Sequence, residues 1–310
     1  MISDEKKKRF LVLVNPSSHG GRCGRRLAKL QALLPEGDFV ALGDIAEARR
    51  RAREASGYEA VVACGGDGTV NAVASGVLEN SDRSLKFGVL YQGTSPDFCR
   101  EHGLPTDARA AVDVLRNGGI REIPVLTANG EPFFCSMNLG MGAAVADAAN
   151  RLRPMFGDFA GTLLSVMREI MRGRRYDIEV NGETIRGVSH MLVTRMRHIA
   201  GGLKIVIPPL AADEYALWLL RDVSRLGSLK CIWKMYRGER CGEVRVLRGM
   251  AVFAARTSGS SSLPELRTSG SSSLPVEYDG DPHGALPVAV DVGNKVLRLA
   301  VPIGKGSSDE

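Results

Sequence analysis

The chain has 310 residues, of which 44% are hydrophobic and 25% are charged, and its formal net charge at pH 7 is +6. This composition is typical of a folded globular protein and excludes a disordered chain. The longest apolar runs, such as residues 10–14 and 216–220, are too short to cross a bilayer, so we expect any membrane contact to be peripheral. The positive charge fits an anionic partner without choosing among nucleotides, acidic lipids and nucleic acid.

The first part of the chain alternates short β-rich runs with segments of helical period, which predicts a parallel α/β sheet. The predicted strands are residues 9–14, 61–64 and 86–91, and the predicted helices are residues 24–34, 44–56 and 106–117. From about residue 120 strand-like segments follow one another, at residues 121–128, 131–138, 176–180, 183–193, 204–207, 216–222, 243–253, 288–292 and 296–300. One long predicted helix, over residues 156–172, interrupts them.

These patterns predict two domains. Residues 1–125 are expected to form an α/β domain, and residues 126–310 a β-rich domain whose last strands pack back on the first. A segment that reads RTSGSSSLP occurs at residues 256–264 and again at 267–275, and its composition favours a flexible loop. The six cysteines are scattered without a CxxC pair, so we predict reduced thiols in a cytoplasmic protein.

The most informative motif is GGDGT at residues 65–69, which follows an apolar run and precedes a helical pattern. Glycines let a ligand approach the backbone, and the free N–H groups at the start of a helix favour phosphate. Asp67 would repel a bare phosphate, but it fits a site where a divalent cation lies between the carboxylate and the phosphate. The alternative is an ordinary glycine-rich turn in which Asp67 is the N-cap of the helix.

Two further polar loops follow predicted strands, at residues 15–21 and 93–97. In an open parallel sheet, ligands bind at the carboxyl ends of the strands, so we expect the three loops to face one crevice. The expected ligand is a nucleotide with bound magnesium. The chain contains neither a GxxxxGK[ST] loop nor a GxGxxG motif, which argues against a P-loop and against a dinucleotide fold.

Five stretches then resemble the diacylglycerol kinase catalytic-domain family, which includes sphingosine kinases and the bacterial soluble diacylglycerol kinases. They are LVLVNPSSHGG at 11–21, GGDGTVNAV at 65–73, GTSPDFCREHGLP at 93–105, NLGMGAAV at 138–145 and DGD at 279–281. GGDGT alone is shared with NAD kinases and phosphofructokinases, whereas its combination with GTxxDF and GLP is more specific. The order and the spacing of the stretches are those of the family.

The resemblance implies an NAD kinase-like α/β domain followed by a β-rich sandwich domain, a site in the cleft between them, and ATP and Mg²⁺ as cofactors. It implies that the nucleotide is bound by Asn15, Pro16, Ser17, Ser18, Gly65, Gly66, Asp67, Gly68, Thr69, Asn71, Gly93 and Thr94. It also implies catalytic roles for Asp67, Asp97 and Asp279, with Asp279 as the general base. The metal ligands it implies are Asp67 and Asp281, and Asp213 in a separate structural site.

The chain departs from the family pattern at three places. Ser95-Pro96 replaces Gly-Asn, Asp281 replaces a glutamate, and Tyr215 replaces the glycine that usually follows the acidic pair of the structural metal site. Proline removes a backbone donor, so the contacts of its loop are expected to differ. The dipeptide Asp279-Gly280 is also the preferred sequence of a type I′ hairpin turn, which is an alternative to a catalytic role.

The leading hypothesis is an ATP-dependent kinase that phosphorylates a hydroxyl of diacylglycerol or a related lipid. Two alternatives stay open: an NAD kinase-like enzyme that acts on a soluble metabolite, and a catalytically impaired protein that binds nucleotide or lipid. The expected partners are a lipid substrate at a membrane surface and a second copy of the chain. Nucleic acid is not expected, because the basic residues lack interleaved aromatic residues. The expected location is the cytoplasm, with peripheral attachment to the membrane.

Overall fold

The computed structural model describes residues 9–140, 175–255 and 274–303. The chain divides into two units. Among the described residues, the first unit comprises 9–125, Ala200–Gly202 and 294–303, and the second comprises the remainder between residues 126 and 293. The predicted helix at 156–172 and most of the duplicated Ser/Gly segment lie outside the described residues.

The first unit is built on a parallel sheet. Its strands are β1 (Phe10–Val14), β2 (Gly37–Ala41), β3 (Ala60–Gly65), β4 (Lys86–Tyr91) and the end of β17 (Val288–Val301). Strand β1 pairs with β2 and β3, β3 pairs with β4, and β4 pairs with β17 at Phe87 and Leu299, all in parallel. The helices are α1 (Ser18–Leu33), α2 (Ile45–Arg53), α3 (Asp67–Glu79), α4 (Asp97–His102) and α5 (Ala108–Asn117).

Burial in this unit follows the pattern of a sheet that is covered on both faces. Every residue of β1 and β3 is buried, which is why each strand reads as a continuous apolar run rather than as an alternation. One core cluster joins residues of the strands, such as Val12 and Val62, to Leu30 of α1 and Val112 of α5. The predicted strands at 9–14, 61–64 and 86–91 therefore correspond to β1, β3 and β4.

Helices α2 and α3 pack at a close contact that only a glycine permits. A Cβ atom added to Gly76 would overlap the backbone oxygen of Arg49 and would lie 2.6 Å from Cβ of Ala52. We therefore expect Gly76→Ala to lower the free energy of unfolding by about 1–3 kcal/mol, because the two helices must move apart. Urea unfolding followed by circular dichroism measures this.

Gly68 of the same helix is the matched control for Gly76, since a Cβ atom there would meet no atom within 4 Å. Gly68→Ala should leave the free energy of unfolding unchanged or slightly raised, because alanine has the higher helix propensity. Equal stability of the two variants would show that the contact between α2 and α3 is looser than described.

The second unit is β-rich and antiparallel. Its strands are β6 (Glu131–Phe133), β7 (Met137–Gly140), β8 (Tyr176–Val180), β9 (Glu183–Thr194), β10 (His198–Ile199), β11 (Leu203–Lys204), β12 (Glu214–Arg221), β13 (Glu243–Arg248), β14 (Ala251–Ala255), β15 (Pro275–Tyr278) and β16 (Asp281–Ala285), with parts of β5 (Gly119–Ala128) and β17. They pair in the order β16-β15-β7-β9-β8-β14-β17, with β12 also on β9 and β13 on β12. One helix is described here, α6 (Arg225–Tyr236). The predicted fold class, an α/β region with parallel strands and a β-rich region, is confirmed.

Several local expectations are wrong. The strands predicted at 288–292 and 296–300 are one strand, β17, and only the first residue of the strand predicted at 204–207 lies in a strand, β11. The predicted strand at 131–138 is split into β6 and β7, because residues between them donate their N–H groups to a side chain rather than to a neighbouring strand. The predicted strand at 243–253 is split into β13 and β14 by a turn at Gly249, whose φ is +65°. The cysteines are not all reduced, because Cys231 and Cys241 form a disulfide with a Cα–Cα distance of 5.6 Å.

Candidate active site

The loops after β1 and β3 are joined by side-chain hydrogen bonds. Asn15 Nδ2 donates to Thr69 Oγ1 at 3.2 Å, and Asn15 Oδ1 accepts from the N–H of Ser17 at 3.1 Å. Ser18 Oγ accepts from the N–H of Gly66 at 3.3 Å. Residues that are about fifty positions apart in the sequence are thus brought together at the carboxyl ends of two adjacent strands, as predicted for a ligand site.

The N-terminus of α3 carries the GGDGT motif. Gly66 occupies the N-cap position in an extended conformation, with no capping side chain, and Asp67 is the first residue of the helix. The alternative in which Asp67 is the N-cap is therefore not what the structure shows. Asp67 Oδ2 accepts a hydrogen bond from the hydroxyl of Tyr91 at 3.0 Å, and burial, together with the negative charge of Asp67, raises the pKa of Tyr91 well above its ordinary value.

Tyr91 connects the second loop to the third, a contact that no sequence pattern indicates. Its hydroxyl also accepts a hydrogen bond from the N–H of Ser95 at 3.1 Å. A Cβ atom added to Gly93 would lie 2.7 Å from Cα of Gly66 and would overlap the Tyr91 hydroxyl. The glycine at position 93 is thus required for the close approach of the two loops.

Gly68 differs from its neighbours in the motif. A Cβ atom added to Gly65 would lie 2.7 Å from Cβ of Thr69, whereas one added to Gly68 would project into open space. Near this opening, Oδ1 of Asn71 is buried and has no hydrogen-bond partner within the described parts of the chain. The first turn of α3 therefore presents an accessible backbone and an unsatisfied amide oxygen, which fits a bound polar ligand.

Asp97 is buried at the start of α4, where it contacts Arg100 and Gly201. Arg100 Nη1 lies 3.1 Å from Asp97 Oδ1, and the N–H of Gly201 donates to Asp97 Oδ2 at 2.5 Å. Pro96 precedes the helix as its N-cap, where a missing backbone donor is tolerated. The Ser95-Pro96 departure is therefore compatible with the helix that positions Asp97. Thr94 of the same loop is exposed.

Asp279 lies in the two-residue turn between β15 and β16. The φ angles of Asp279 and Gly280 are +52° and +94°, which is the pattern of a type I′ hairpin turn. The carboxylate of Asp279 also accepts three backbone hydrogen bonds, from Phe134 at 2.8 Å, Cys135 at 2.7 Å and Ser136 at 3.0 Å. Burial raises the pKa of Asp279 to about 6, although these three donors favour the charged form.

Glu277, two residues before the turn, was not anticipated from the sequence. It is buried, its Oε2 accepts from Asn138 Nδ2 at 2.7 Å, and its Oε1 accepts from the N–H of Gly280. Burial is the main cause that raises the pKa of Glu277 to about 8, and the nearby charge of Asp279 raises it further. Asn138 belongs to the NLGMG motif, so this contact joins that motif to the strand that precedes DGD.

The acidic residues expected to bind metal are Asp67, Asp281 and Asp213. No group of three or more His, Cys, Asp or Glu side chains that could hold a metal occurs in the described ranges. Asp281 is exposed, and Asp213 lies 3.4 Å from Nε of Arg248. Magnesium that arrives with a nucleotide needs only one or two carboxylates besides phosphate oxygens, and Asp67 fits that role. The metal role of Asp213 stays a prediction, and Arg248 already supplies positive charge there.

Comparison with known proteins finds relatives of this chain. Residues 9–128 match the family model described as the diacylglycerol kinase catalytic domain. Over these residues the chain is similar to the diacylglycerol kinase catalytic domain. It is 26% identical to a diacylglycerol kinase of Staphylococcus aureus (strain bovine RF122 / ET3-1) over 294 residues, which cover 91% of this chain and 88% of the relative. It is 25% identical to a diacylglycerol kinase of Bacillus subtilis (strain 168) over 257 residues, covering 77% and 82%.

The same fold occurs in a solved structure. A crystal structure of a diacylglycerol kinase from Bacillus anthracis str. Sterne superposes with a TM-score of 0.72 at 18% identity, covering 96% of this chain and 98% of that one. The predicted resemblance is thereby confirmed, and the diacylglycerol kinase relatives support a lipid kinase. Among the residues that the structure describes, no helix is both long enough and apolar enough to span a membrane.

Proposed function

We propose that the protein is an ATP- and Mg²⁺-dependent lipid kinase that transfers the γ-phosphoryl group of ATP to a hydroxyl of diacylglycerol or a related lipid. The observation that carries this proposal is the hydrogen-bonded assembly of three strand-end loops around Asp67, within residues that are similar to the diacylglycerol kinase catalytic domain. Phosphoryl transfer is governed by positioning and by charge stabilisation, and both can be supplied by such an assembly.

The nucleotide is proposed to lie against the first turn of α3. The N–H group of Gly68 would face its phosphates, whereas those of Gly66 and Thr69 already donate to Ser18 Oγ and to the carbonyl of Gly66. The residues around this turn would line the nucleotide site. Those residues are Asn15, Pro16, Ser17, Ser18, Asn71, Gly93 and Thr94. Asp67 would hold Mg²⁺, which neutralises phosphate charge when it is bound. Asp97 is proposed to orient this loop through its contacts with Arg100 and Gly201.

Asp279 is proposed as the general base. A carboxylate offers about four lone-pair sites, and the three backbone donors to Asp279 leave one for the hydroxyl proton of the lipid. With a pKa of about 6, the carboxylate is mostly charged at pH 7 and can accept that proton as the new O–P bond forms. Asp281, on the same hairpin, is proposed to contribute to metal binding.

The acceptor of the phosphoryl group would reside in a bilayer, so we also propose cytoplasmic location with peripheral attachment to a membrane surface. A homodimer stays a prediction. Two other functions remain as outcomes of the test: phosphorylation of NAD, and binding of nucleotide without transfer.

Incubation with radiolabelled ATP, Mg²⁺ and a dispersed total lipid extract tests the proposal, with NAD as the acceptor in a parallel reaction. We expect label in the organic phase that disappears when Mg²⁺ is chelated. Label on NAD instead, or ATP binding with no labelled product in either reaction, would overturn the proposed function.

A further inference from the structure

Helix α6 has an inner face and an outer face of different character. Its inner face consists of Ser228, Cys231 and Met235, and the last two belong to a buried cluster that includes Trp218. Leu226 and Trp233, which are seven residues apart, lie on the opposite side of the helix. The helix is therefore anchored on one side, and its other side carries large side chains that pack against nothing in the buried clusters.

The outer face of α6 exposes large apolar side chains to solvent. Leu226 is 70% exposed, Trp233 is 65% exposed and Tyr236 is 53% exposed. The chain has two tryptophans, and the other, Trp218, is only 2% exposed. Exposed aliphatic residues are normal at a protein surface, but a leucine, a tryptophan and a tyrosine within twelve residues of one helix indicate a contact surface.

Basic side chains border these residues. Between residues 225 and 240 the chain has five basic residues, Arg225, Lys230, Lys234, Arg237 and Arg240, and one acidic residue, Glu239. Glu239 pairs with Arg237 at 2.6 Å. In the parts of the chain that the structure describes, Lys230 and Lys234 take part in no ion pair, so their charges are available to an anionic partner.

This combination fits a lipid surface better than a protein or nucleic-acid surface. The centres of protein interfaces are depleted of lysine, whereas here Lys230 lies between Leu226 and Trp233 along the helix. Tryptophan and tyrosine prefer the depth of the lipid headgroups, because their rings are apolar and their tips are polar. Lysine and arginine extend their charged ends to the headgroup layer and are attracted to acidic lipids.

We propose that the outer face of α6 is the surface by which the protein docks on an anionic lipid bilayer. The inference rests on the proposed function in that a kinase for a membrane lipid must reach the bilayer. The helix lies along the membrane plane, with Leu226 and Trp233 at the boundary of the acyl chains and Lys230, Lys234 and Arg237 among the headgroups.

Sedimentation with vesicles, in the absence of ATP, tests the docking surface. Vesicles of phosphatidylcholine with added phosphatidylglycerol should bind the wild type, and vesicles of phosphatidylcholine alone should bind it about tenfold less. Trp233→Ala should lower the partition coefficient about tenfold, because its ring no longer enters the interface. Lys230→Glu should lower it about thirtyfold, because about 1 kcal/mol is lost for each of the two units of charge that change. Both changes are at exposed positions, and thermal unfolding checks that the variants are folded.

Matched controls lie elsewhere in the second unit. Met250 is 64% exposed, almost as much as Trp233, but lies between β13 and β14, and Arg186 is an exposed basic residue of β9. Met250→Ala and Arg186→Glu should bind vesicles as the wild type does. Equal losses in these controls and in the α6 variants would overturn the proposal, because they would indicate binding without a defined surface.

Tryptophan fluorescence gives an independent readout. Brominated lipids quench only a tryptophan within the bilayer, so quenching should be seen in the wild type and should disappear in Trp233→Ala, in which only the buried Trp218 remains. Either of two results would assign the face to a second copy of the chain instead. One is a wild type that is not quenched. The other is a Trp233→Ala variant that loses self-association in sedimentation velocity but keeps vesicle binding.

A comparison of two substrates separates this proposal from the proposed function. With long-chain diacylglycerol in vesicles, Trp233→Ala should lose activity in proportion to vesicle binding, and with a monomeric short-chain diacylglycerol it should keep wild-type activity. Vesicle binding that depends on α6 without any lipid phosphorylation would contradict only the proposed function. Full activity of the variant on vesicles would contradict only the docking surface.

Discussion

Replacement of Asp279 by asparagine is expected to lower kcat for lipid phosphorylation about 100- to 10,000-fold, which is the usual contribution of a general base. Asparagine accepts the left-handed backbone conformation at this position and is the preferred residue of a type I′ turn, so the hairpin should persist. The amide has no charge with which to accept the hydroxyl proton. Steady-state kinetics at saturating ATP measure the loss, and circular dichroism confirms the fold.

Asp222→Asn is the matched control for Asp279→Asn. Asp222 is exposed, has a φ of +53°, almost the same as that of Asp279, and lies at the end of β12. The same substitution there should leave kcat within about twofold of the wild type, as is usual for surface changes. If Asp279→Asn were as active as Asp222→Asn, the type I′ turn would be the whole role of Asp279.

The pH dependence of kcat/KM gives a second reading of the same residue. Burial raises the pKa of Asp279 from its usual value to about 6, and a general base is active only when it is deprotonated. The wild-type kcat/KM should therefore rise with pH through about 6 and then level off. An acid limb near pH 4 would show that the carboxyl is not buried in the active enzyme.

Gly68→Ala is expected to weaken ATP binding about tenfold or more while leaving the protein as stable as the wild type. A methyl group at this position meets no protein atom, so the fold loses nothing and the helix gains about 0.5–1 kcal/mol from the better helix former. The added methyl group does, however, project to the place where the phosphates are proposed to approach the backbone of α3. Isothermal titration calorimetry and thermal unfolding measure the two effects separately.

Gly227→Ala is the control for Gly68→Ala, since both glycines lie in the first turns of helices and Gly227 is in α6. A Cβ atom at Gly227 would be 3.4 Å from Ser224 Oγ, an ordinary contact. The affinity of the Gly227→Ala variant for ATP should equal that of the wild type. If Gly68→Ala also bound ATP normally, the nucleotide would not lie against the first turn of α3.

Much of the first unit could be predicted from the sequence because its strands are buried on both faces and its helices have a single apolar side. The polar loops at their ends are equally visible, since glycine, serine, asparagine and aspartate cluster there. Strand β2 was missed because it is only partly buried and therefore lacks the continuous apolar run of β1, which has the same length. Helix α6 was missed because Leu226 and Trp233 lie opposite Cys231 and Met235, which obscures the one-sided pattern that identifies a surface helix.

The contacts that complete the candidate site are non-local, and for that reason the sequence did not reveal them. Tyr91 and Asp67 are 24 positions apart, and Glu277 and Asn138 are 139 positions apart. A tyrosine at the end of a strand and a glutamate within one carry no signal of such a partner. The three donors to Asp279 were likewise hidden in a segment whose composition predicts an unbroken strand.

The most direct test of the proposed activity is the stoichiometry of ADP release and phosphatidic acid formation from diacylglycerol, measured together for the wild type. A lipid kinase predicts one phosphatidic acid for each ADP, with both products reduced in parallel in Asp279→Asn. Release of ADP without phosphatidic acid, or phosphatidic acid at the wild-type rate in Asp279→Asn, would contradict it.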